Sequence, residues 1–233
     1  MDTCFGIAGL DWVIVATDTA VNRSIFTLKH DEDKITDINQ FKILGASGEQ
    51  TQRYHFSNYI QRNLSLMELR TGFEPNVETT AQYLRTELAT ALRKGPFQVN
   101  CLMGGYDQQE SRAKLYWMDY LGTLQQVNKG AQGYAAYFVN SVLDNAFQHD
   151  MTLEQGIEAC KLCVKELRIR FMINQHHFKC KVVTKDGIKE IDLEWRWVQV
   201  FTRFQLYNDM HKTETNIQKK TNGCFNFGVL GFW

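Results

Sequence analysis

The stretch GIAGLDWVIVATD, residues 6–18, decides the fold of this chain. Apolar runs lie on either side of Leu10 and Asp11, which predicts two strands joined by a short turn. In the second strand one face carries Trp12, Ile14 and Ala16, and the opposite face carries Val13, Val15 and Thr17. Asp18 therefore stands at the end of a predicted strand.

Two further features continue this N-terminal pattern. Lys34 follows the predicted hairpin, and a third apolar strand is predicted at residues 41–46. That strand runs into Ser47-Gly48-Glu49, a turn that can bring backbone amides close to a ligand.

The rest of the chain alternates between pairs of helices and pairs of strands. We predict helices at 54–72 and 76–93, strands at 97–103 and 113–120, helices at 133–147 and 153–171, and a hairpin at 178–183 and 188–191. Gly72 is expected to end the first helix, and Thr152 with Gln155 to open the fourth as a capping box. This order predicts an α+β fold, a sandwich of two sheets covered by helices on both sides.

The N-terminal pattern resembles the β-type subunits of the proteasome. In that family an N-terminal Thr, an Asp, a Lys and a glycine turn build a proteolytic site, and Asp18, Lys34 and Gly48 match in order and spacing. Segments 104–107, 115–120 and 133–136 look most like the fourth β-type subunit, a member without activity. The resemblance implies the four-layer αββα sandwich of N-terminal nucleophile hydrolases for residues 1–192. Residues 193–233 do not match the family, and we treat them as a C-terminal extension.

The residue expected to act as nucleophile is missing from its place. In this chemistry a threonine hydroxyl attacks a peptide carbonyl, while the free α-amino group of the same residue takes the proton. Aligning Gly6 and Asp18 with the family puts Asp2 at the nucleophile's position, and a carboxylate cannot do that work. Thr3 is the alternative nucleophile after removal of residues 1 and 2. Because a one-residue slip turns a strand's side chains over, Thr3 would point away from Lys34.

Other groups that the family uses are also replaced. Phe171 falls where the resemblance expects an Asp, and Asn174 where it expects a Ser that orients the threonine amine; a phenyl ring can accept no proton. Ala20 and Asn22 replace an Arg and a Thr near the substrate backbone, and Gln132 replaces a second supporting Ser. We therefore expect no catalytic residue, and we interpret Asp18 and Lys34 as an ion pair that ties two strands together.

Composition limits the other function classes. Twenty-six basic residues balance twenty-six acidic ones, so the chain has no electrostatic signature of nucleic-acid or anionic-membrane binding. No apolar run is long enough to span a bilayer, and the start does not resemble a secretory signal. Five cysteines lie in apolar patterns and are predicted to be buried thiols; the alternative is a zinc site formed by Cys160, Cys163, Cys180, His176 and His177. We expect no metal and no cofactor.

The resemblance implies a structural function. The chain is expected to occupy one place in a seven-membered ring in the cytoplasm and nucleus, with β-type neighbours on both sides, an α-type ring above and a second β ring facing it. One competing hypothesis is an active threonine endopeptidase that uses Thr3, and another is a hydrolase that forms its own rings. In this family, pockets form between subunits, so the segments 22–28 and 116–120 are candidates for shaping a neighbour's substrate pocket, with Phe26 and Tyr116 as the positions that test them.

Overall fold

The structure is a computed structural model that describes residues 2–23, 26–173, 175 and 177–193. In chain order its elements are β1 (Thr3–Ala8), β2 (Trp12–Asp18), β3 (Val21–Arg23), β4 (Phe26–Lys29), β5 (Ile35–Asn39), β6 (Lys42–Gly48), α1 (Gln50–Thr71), α2 (Val77–Ala91), β7 (Val99–Asp107), β8 (Arg112–Met118), β9 (Leu124–Val127), β10 (Lys129–Gly133), α3 (Ala136–Ala146), α4 (Leu153–Arg170), β11 (Phe178–Thr184) and β12 (Gly187–Ile191).

Two five-stranded antiparallel sheets form the centre of the molecule. One has the strand order β10-β1-β2-β11-β12 and the other β5-β6-β7-β8-β9, while β3 and β4 pair as a separate ribbon. The alternation predicted for β2 is confirmed. Trp12, Ile14 and Ala16 face a core shared with α3 and α4, whereas Val13 and Val15 lie in the core that β6, β7 and β8 also line.

Helices cover the outer faces of both sheets, as predicted. Phe56, Ile60 and Leu64 of α1 pack with α2 on the second sheet, and the buried stripe of α4 packs with α3 on the first. The predicted capping box of α4 is present, with Thr152 and Gln155 each bonded to the other's backbone. The α+β, four-layer αββα architecture is thus confirmed.

Several predicted boundaries were wrong. Helix α1 begins at Gln50 because the Glu49 side chain accepts a hydrogen bond from the Gln52 N–H and so caps an earlier turn. Strands β9 and β10 were not predicted, since residues 124–133 are largely polar. β10 forms because it pairs with the buried β1, from Thr3 opposite Gly133 to Ile7 opposite Lys129. Helix α3 consequently begins at Ala136 rather than at residue 133.

The prediction for residues 193–233 stays a prediction, because residues 194–233 lie outside the described part of the chain. The described helices include none that is long and apolar enough to cross a membrane.

Cys4, Cys101, Cys160, Cys163 and Cys180 are buried free thiols, as predicted for these five. Burial raises the pKa of Cys101, Cys163 and Cys180 to about 12, so these thiols stay protonated and unreactive.

Candidate functional site

The predicted site residues meet at one end of the sandwich. Asp2 comes just before β1, Asp18 ends β2, Lys34 comes just before β5, and Gly48 ends β6. The antiparallel register of β1 and β2 places the start of one strand beside the end of the other. Four residues that are far apart in the sequence are therefore brought together by the two sheets.

Asp18 and Lys34 form a fully buried ion pair, which confirms the predicted contact. Lys34 Nζ lies 2.8 Å from Asp18 Oδ2 and also donates to the Ala20 carbonyl oxygen at 2.7 Å. Both charged side chains are 0% exposed. Burial raises the pKa of Asp18 above its ordinary value of 3.8, and the Lys34 charge and hydrogen bond oppose that rise.

The Asp2 carboxylate completes the coordination of the Lys34 ammonium group. Asp2 Oδ1 lies 2.8 Å from Lys34 Nζ, and Asp2 Oδ2 accepts a hydrogen bond from the Gly48 N–H at 3.2 Å. Gly48 has φ = +143°, and a Cβ at this position would lie 2.2 Å from the Gln98 carbonyl oxygen. A glycine is therefore required to aim this amide at the carboxylate.

Arg53 is a member of this cluster that the sequence analysis missed. Its Nε lies 3.5 Å from Asp2 Oδ2, and the side chain is buried at the start of α1. A signal was present, because Arg53 shares the buried stripe of Phe56, Ile60 and Leu64, where a cation is out of place unless it has a partner. With Arg53 included, the Asp2 and Asp18 carboxylates face two cations. The exposed Glu49 carboxylate, whose pKa is lowered by a hydrogen bond from the Gln52 N–H, lies near enough to Arg53 for that charge to lower it further.

Thr3 is held by contacts that direct its hydroxyl elsewhere. Its backbone N–H donates to Asp18 Oδ1 at 2.7 Å, and its Oγ1 donates to Gln175 Oε1 at 2.9 Å. Lys34 Nζ is bonded instead to Asp2, Asp18 and Ala20. The expectation that Thr3 points away from Lys34 agrees with these bonds. Gln175 was the second contributor that the sequence analysis missed, since it lies 172 residues from Thr3 in the sequence.

The other replaced residues make packing contacts or a hydrogen bond, or lie outside the described part of the chain. Phe171 follows the last residue of α4 in an extended conformation, and its ring lies 6.3 Å from that of Tyr134 and 5.9 Å from that of Phe138. Gln132 Nε2 donates to the Met118 carbonyl oxygen at 2.9 Å. Asn174 is outside the described residues.

Tyr116 was wrong as a candidate for shaping a neighbour's pocket. It is 5% exposed and lies in the core beneath α1 and α2. Phe26 on the β3–β4 ribbon, by contrast, is 68% exposed.

The zinc alternative finds no geometric support in the described part of the chain. Cys160, Cys163 and Cys180 belong to the apolar core between the first sheet and its helices. No group of three or more His, Cys, Asp or Glu side chains within residues 2–23, 26–173, 175 and 177–193 could hold a metal ion. His176 lies outside those residues.

Comparison with known proteins identifies the family. A family model described as proteasome subunit matches residues 1–183. The chain belongs to the proteasome subunit family. It is 43% identical over 196 residues to proteasome subunit beta type-2-B of Arabidopsis thaliana, a match that covers 84% of this chain and 97% of that protein. Proteasome subunit beta type-4 of Saccharomyces cerevisiae is 38% identical over 193 residues, covering 82% and 98%.

These relatives place the chain among the β-type proteasome subunits, as the sequence predicted. Proteasome subunit beta type-2 of Dictyostelium discoideum gives the same picture, with 38% identity over 191 residues, or 81% of this chain and 96% of that protein. The cluster around Lys34 therefore occupies the corner in which the resemblance puts the proteolytic site of active proteasome β subunits. In this proteasome subunit that corner is filled by the chain's own carboxylates.

Proposed function

We propose that this β-type subunit is a non-catalytic structural member of the proteasome core particle. It contributes contacts to ring assembly and a section of the wall around the proteolytic chamber used in ubiquitin-dependent and other intracellular protein degradation. The observation that carries the proposal is the Asp2 carboxylate, which lies 2.8 Å from Lys34 Nζ and accepts a hydrogen bond from the Gly48 N–H. The nucleophile's corner thus contains a carboxylate bonded to Lys34 and Gly48, in place of a threonine hydroxyl beside its own free amine.

The contacts of Asp18 and Lys34 support a structural role for the family remnant Asp18, Lys34 and Gly48. Lys34 joins the end of β2 to the segment before β5, and its three bonds leave its ammonium group fully engaged. The Thr3 nitrogen shares the Asp18 carboxylate with Lys34, but it is a backbone amide that donates a hydrogen bond and not a free amine that could act as a base. The replacements at Asp2, Phe171 and Asn174 argue in the same direction.

The rival function is an endopeptidase that uses Thr3 after removal of residues 1 and 2. The Thr3 amine would then lie beside the Asp18 carboxylate, because the present Thr3 amide nitrogen is 2.7 Å from Asp18 Oδ1. The hydroxyl is less well placed, because Thr3 Oγ1 donates to Gln175 rather than accepting from Lys34. For this reason we favour the structural function.

The proposed partners are β-type subunits on both sides in a seven-membered ring, an α-type ring and a second β ring, in the cytoplasm and nucleus. Affinity purification from the native source through a C-terminal tag tests this assignment. We expect the full set of distinct α-type and β-type chains to co-purify in equal amounts. A large symmetric particle that contains only this chain would contradict the proposal and favour a self-assembling hydrolase.

A further inference from the structure

The Asp2 carboxylate is held in the way that a protein holds a bound anion. Its partners come from three separate parts of the chain: the Lys34 ammonium group before β5 and the Gly48 N–H at the end of β6 donate hydrogen bonds, and the Arg53 guanidinium in α1 lies at ion-pair distance. The Asp2 side chain is only 9% exposed. Two cations and a backbone amide that converge on one carboxylate form an anion-binding arrangement.

Arg53 gives an independent indication that this arrangement is built around an anion. Its buried Nε has no hydrogen-bond partner, because the distance of 3.5 Å to Asp2 Oδ2 is too long for a good bond. Within the described residues, Asp2 is the carboxylate that forms an ion pair with Arg53. The Nε of the buried Arg53 guanidinium has a donor to spare. It would bind a free carboxylate that can approach more closely than Asp2, which is fixed to the chain.

Lys34 behaves differently, because it keeps two partners without Asp2. Asp18 Oδ2 and the Ala20 carbonyl oxygen remain at 2.8 Å and 2.7 Å. Loss of the Asp2 carboxylate would therefore remove the described carboxylate that lies within ion-pair distance of Arg53 and leave the Gly48 N–H without its acceptor, with the exposed Glu49 as the remaining negative charge near Arg53. Arg53 and the Gly48 N–H would both be aimed at the volume that the Asp2 carboxylate had occupied.

We propose that Asp2 is a tethered ligand of an anion-binding site formed by Lys34, Gly48 and Arg53, and that this site binds a small free monocarboxylate when the Asp2 carboxylate is removed. The ligand class follows from the group removed. Asp2→Ala deletes a carboxylate, which formate replaces, and Asp2→Gly deletes a carboxymethyl group, which acetate replaces. Binding of the carboxylate is measured without a substrate and is therefore independent of catalytic activity.

The experiment is a thermal unfolding series on the full chain in formate, acetate and chloride at equal ionic strength. We expect formate to raise the Tm of Asp2→Ala by about 3 to 6 °C above the chloride value at ten times its dissociation constant. Acetate should do the same for Asp2→Gly and should be less effective for Asp2→Ala, where the methyl group has no room. The wild-type chain should respond equally to all three salts.

Three control variants separate binding from general salt effects. Asp2→Asn keeps the volume filled and Asp11→Ala removes an exposed carboxylate, so neither should respond to formate beyond the chloride effect. Asp2→Ala combined with Arg53→Met removes the stranded cation and should lose the formate response. Equal shifts of Asp2→Ala in formate and chloride would overturn the proposal, as would a formate response that survives the loss of Arg53. If Asp2→Ala folds in neither salt, the proposal is also wrong, because it requires formate to restore the missing partner.

Discussion

Replacement of Lys34 by methionine tests the electrostatics of the buried cluster. Lys34→Met keeps the length of the side chain but removes an ammonium group that lies 2.8 Å from both Asp2 and Asp18. Asp18, 0% exposed, would then be a buried carboxylate whose remaining described donor is the Thr3 N–H. Since loss of one partner of a buried ion pair costs about 3 to 5 kcal/mol, we expect the free energy of unfolding to fall by that amount at about pH 8.

The pH dependence of this loss is the more specific part of the prediction. Burial already raises the pKa of Asp18 in the folded state, and the largest opposing effect is the Lys34 charge. With a folded pKa above the unfolded one, the folded state binds more protons, so the free energy of unfolding decreases as pH rises between the two values. Loss of Lys34 raises the folded pKa further. The variant should therefore lose less stability at about pH 5 than at about pH 8.

Urea denaturation at several pH values measures this effect, with Lys94→Met as the matched control because Lys94 is exposed. The control should change the free energy of unfolding by less than about 0.5 kcal/mol at every pH. The double variant Lys34→Met with Asp18→Asn should recover part of the loss, since the stranded charge is then gone. A loss for Lys34→Met that is below about 1 kcal/mol, or that does not change with pH, would refute the reasoning.

Three further substitutions test other parts of the structure. Gly48→Ala should lower the free energy of unfolding by about 1 to 3 kcal/mol in urea titration, because the new Cβ meets the Gln98 carbonyl oxygen at a positive φ; an unchanged midpoint would contradict it. Gly156→Ala should also lower the free energy of unfolding by about 1 to 3 kcal/mol, although alanine favours helices, because the new Cβ would lie 2.2 Å from Trp12 Cη2. A gain in Tm would contradict this and show that the Trp12 ring can move. Phe26→Ala, which removes an exposed ring, should alter one peptidase activity of the assembled particle; unchanged kcat/KM for every peptide substrate would remove Phe26 as a wall of a neighbour's pocket.

The sequence predicted those elements whose own residues determine their structure. The apolar run of β2 is continuous because the strand is buried on both faces, and α4 carries its capping box in the residues Thr152 and Gln155. β9 and β10 could not be predicted in this way. Their polar residues show no alternation. They become strands because β9 pairs with an edge of β8 and β10 pairs with an edge of β1.

The same distinction explains what was predicted of the site. Asp18, Lys34 and Gly48 could be located because the family resemblance supplied their order and spacing, and their contacts in the structure agree with it. Gln175 was missed because only the folded chain creates its contact, whereas Arg53 was missed although a cation on the apolar stripe of α1 indicated a buried partner. Arg53 reaches Asp2 from the buried face of α1. Gln175, in the segment before β11, accepts a hydrogen bond from the Thr3 hydroxyl.

The proposal that this subunit catalyses nothing is tested most directly by intact mass measurement. The particle, purified through a tag on this chain, is treated with an excess of a threonine-directed electrophile. The intact mass of every subunit is then measured by mass spectrometry. Catalytic β subunits of the same particle serve as the internal positive control, because they should gain the mass of the reagent. We expect the mass of this chain to stay unchanged. An adduct on Thr3, in a chain that has lost residues 1 and 2, would contradict the account.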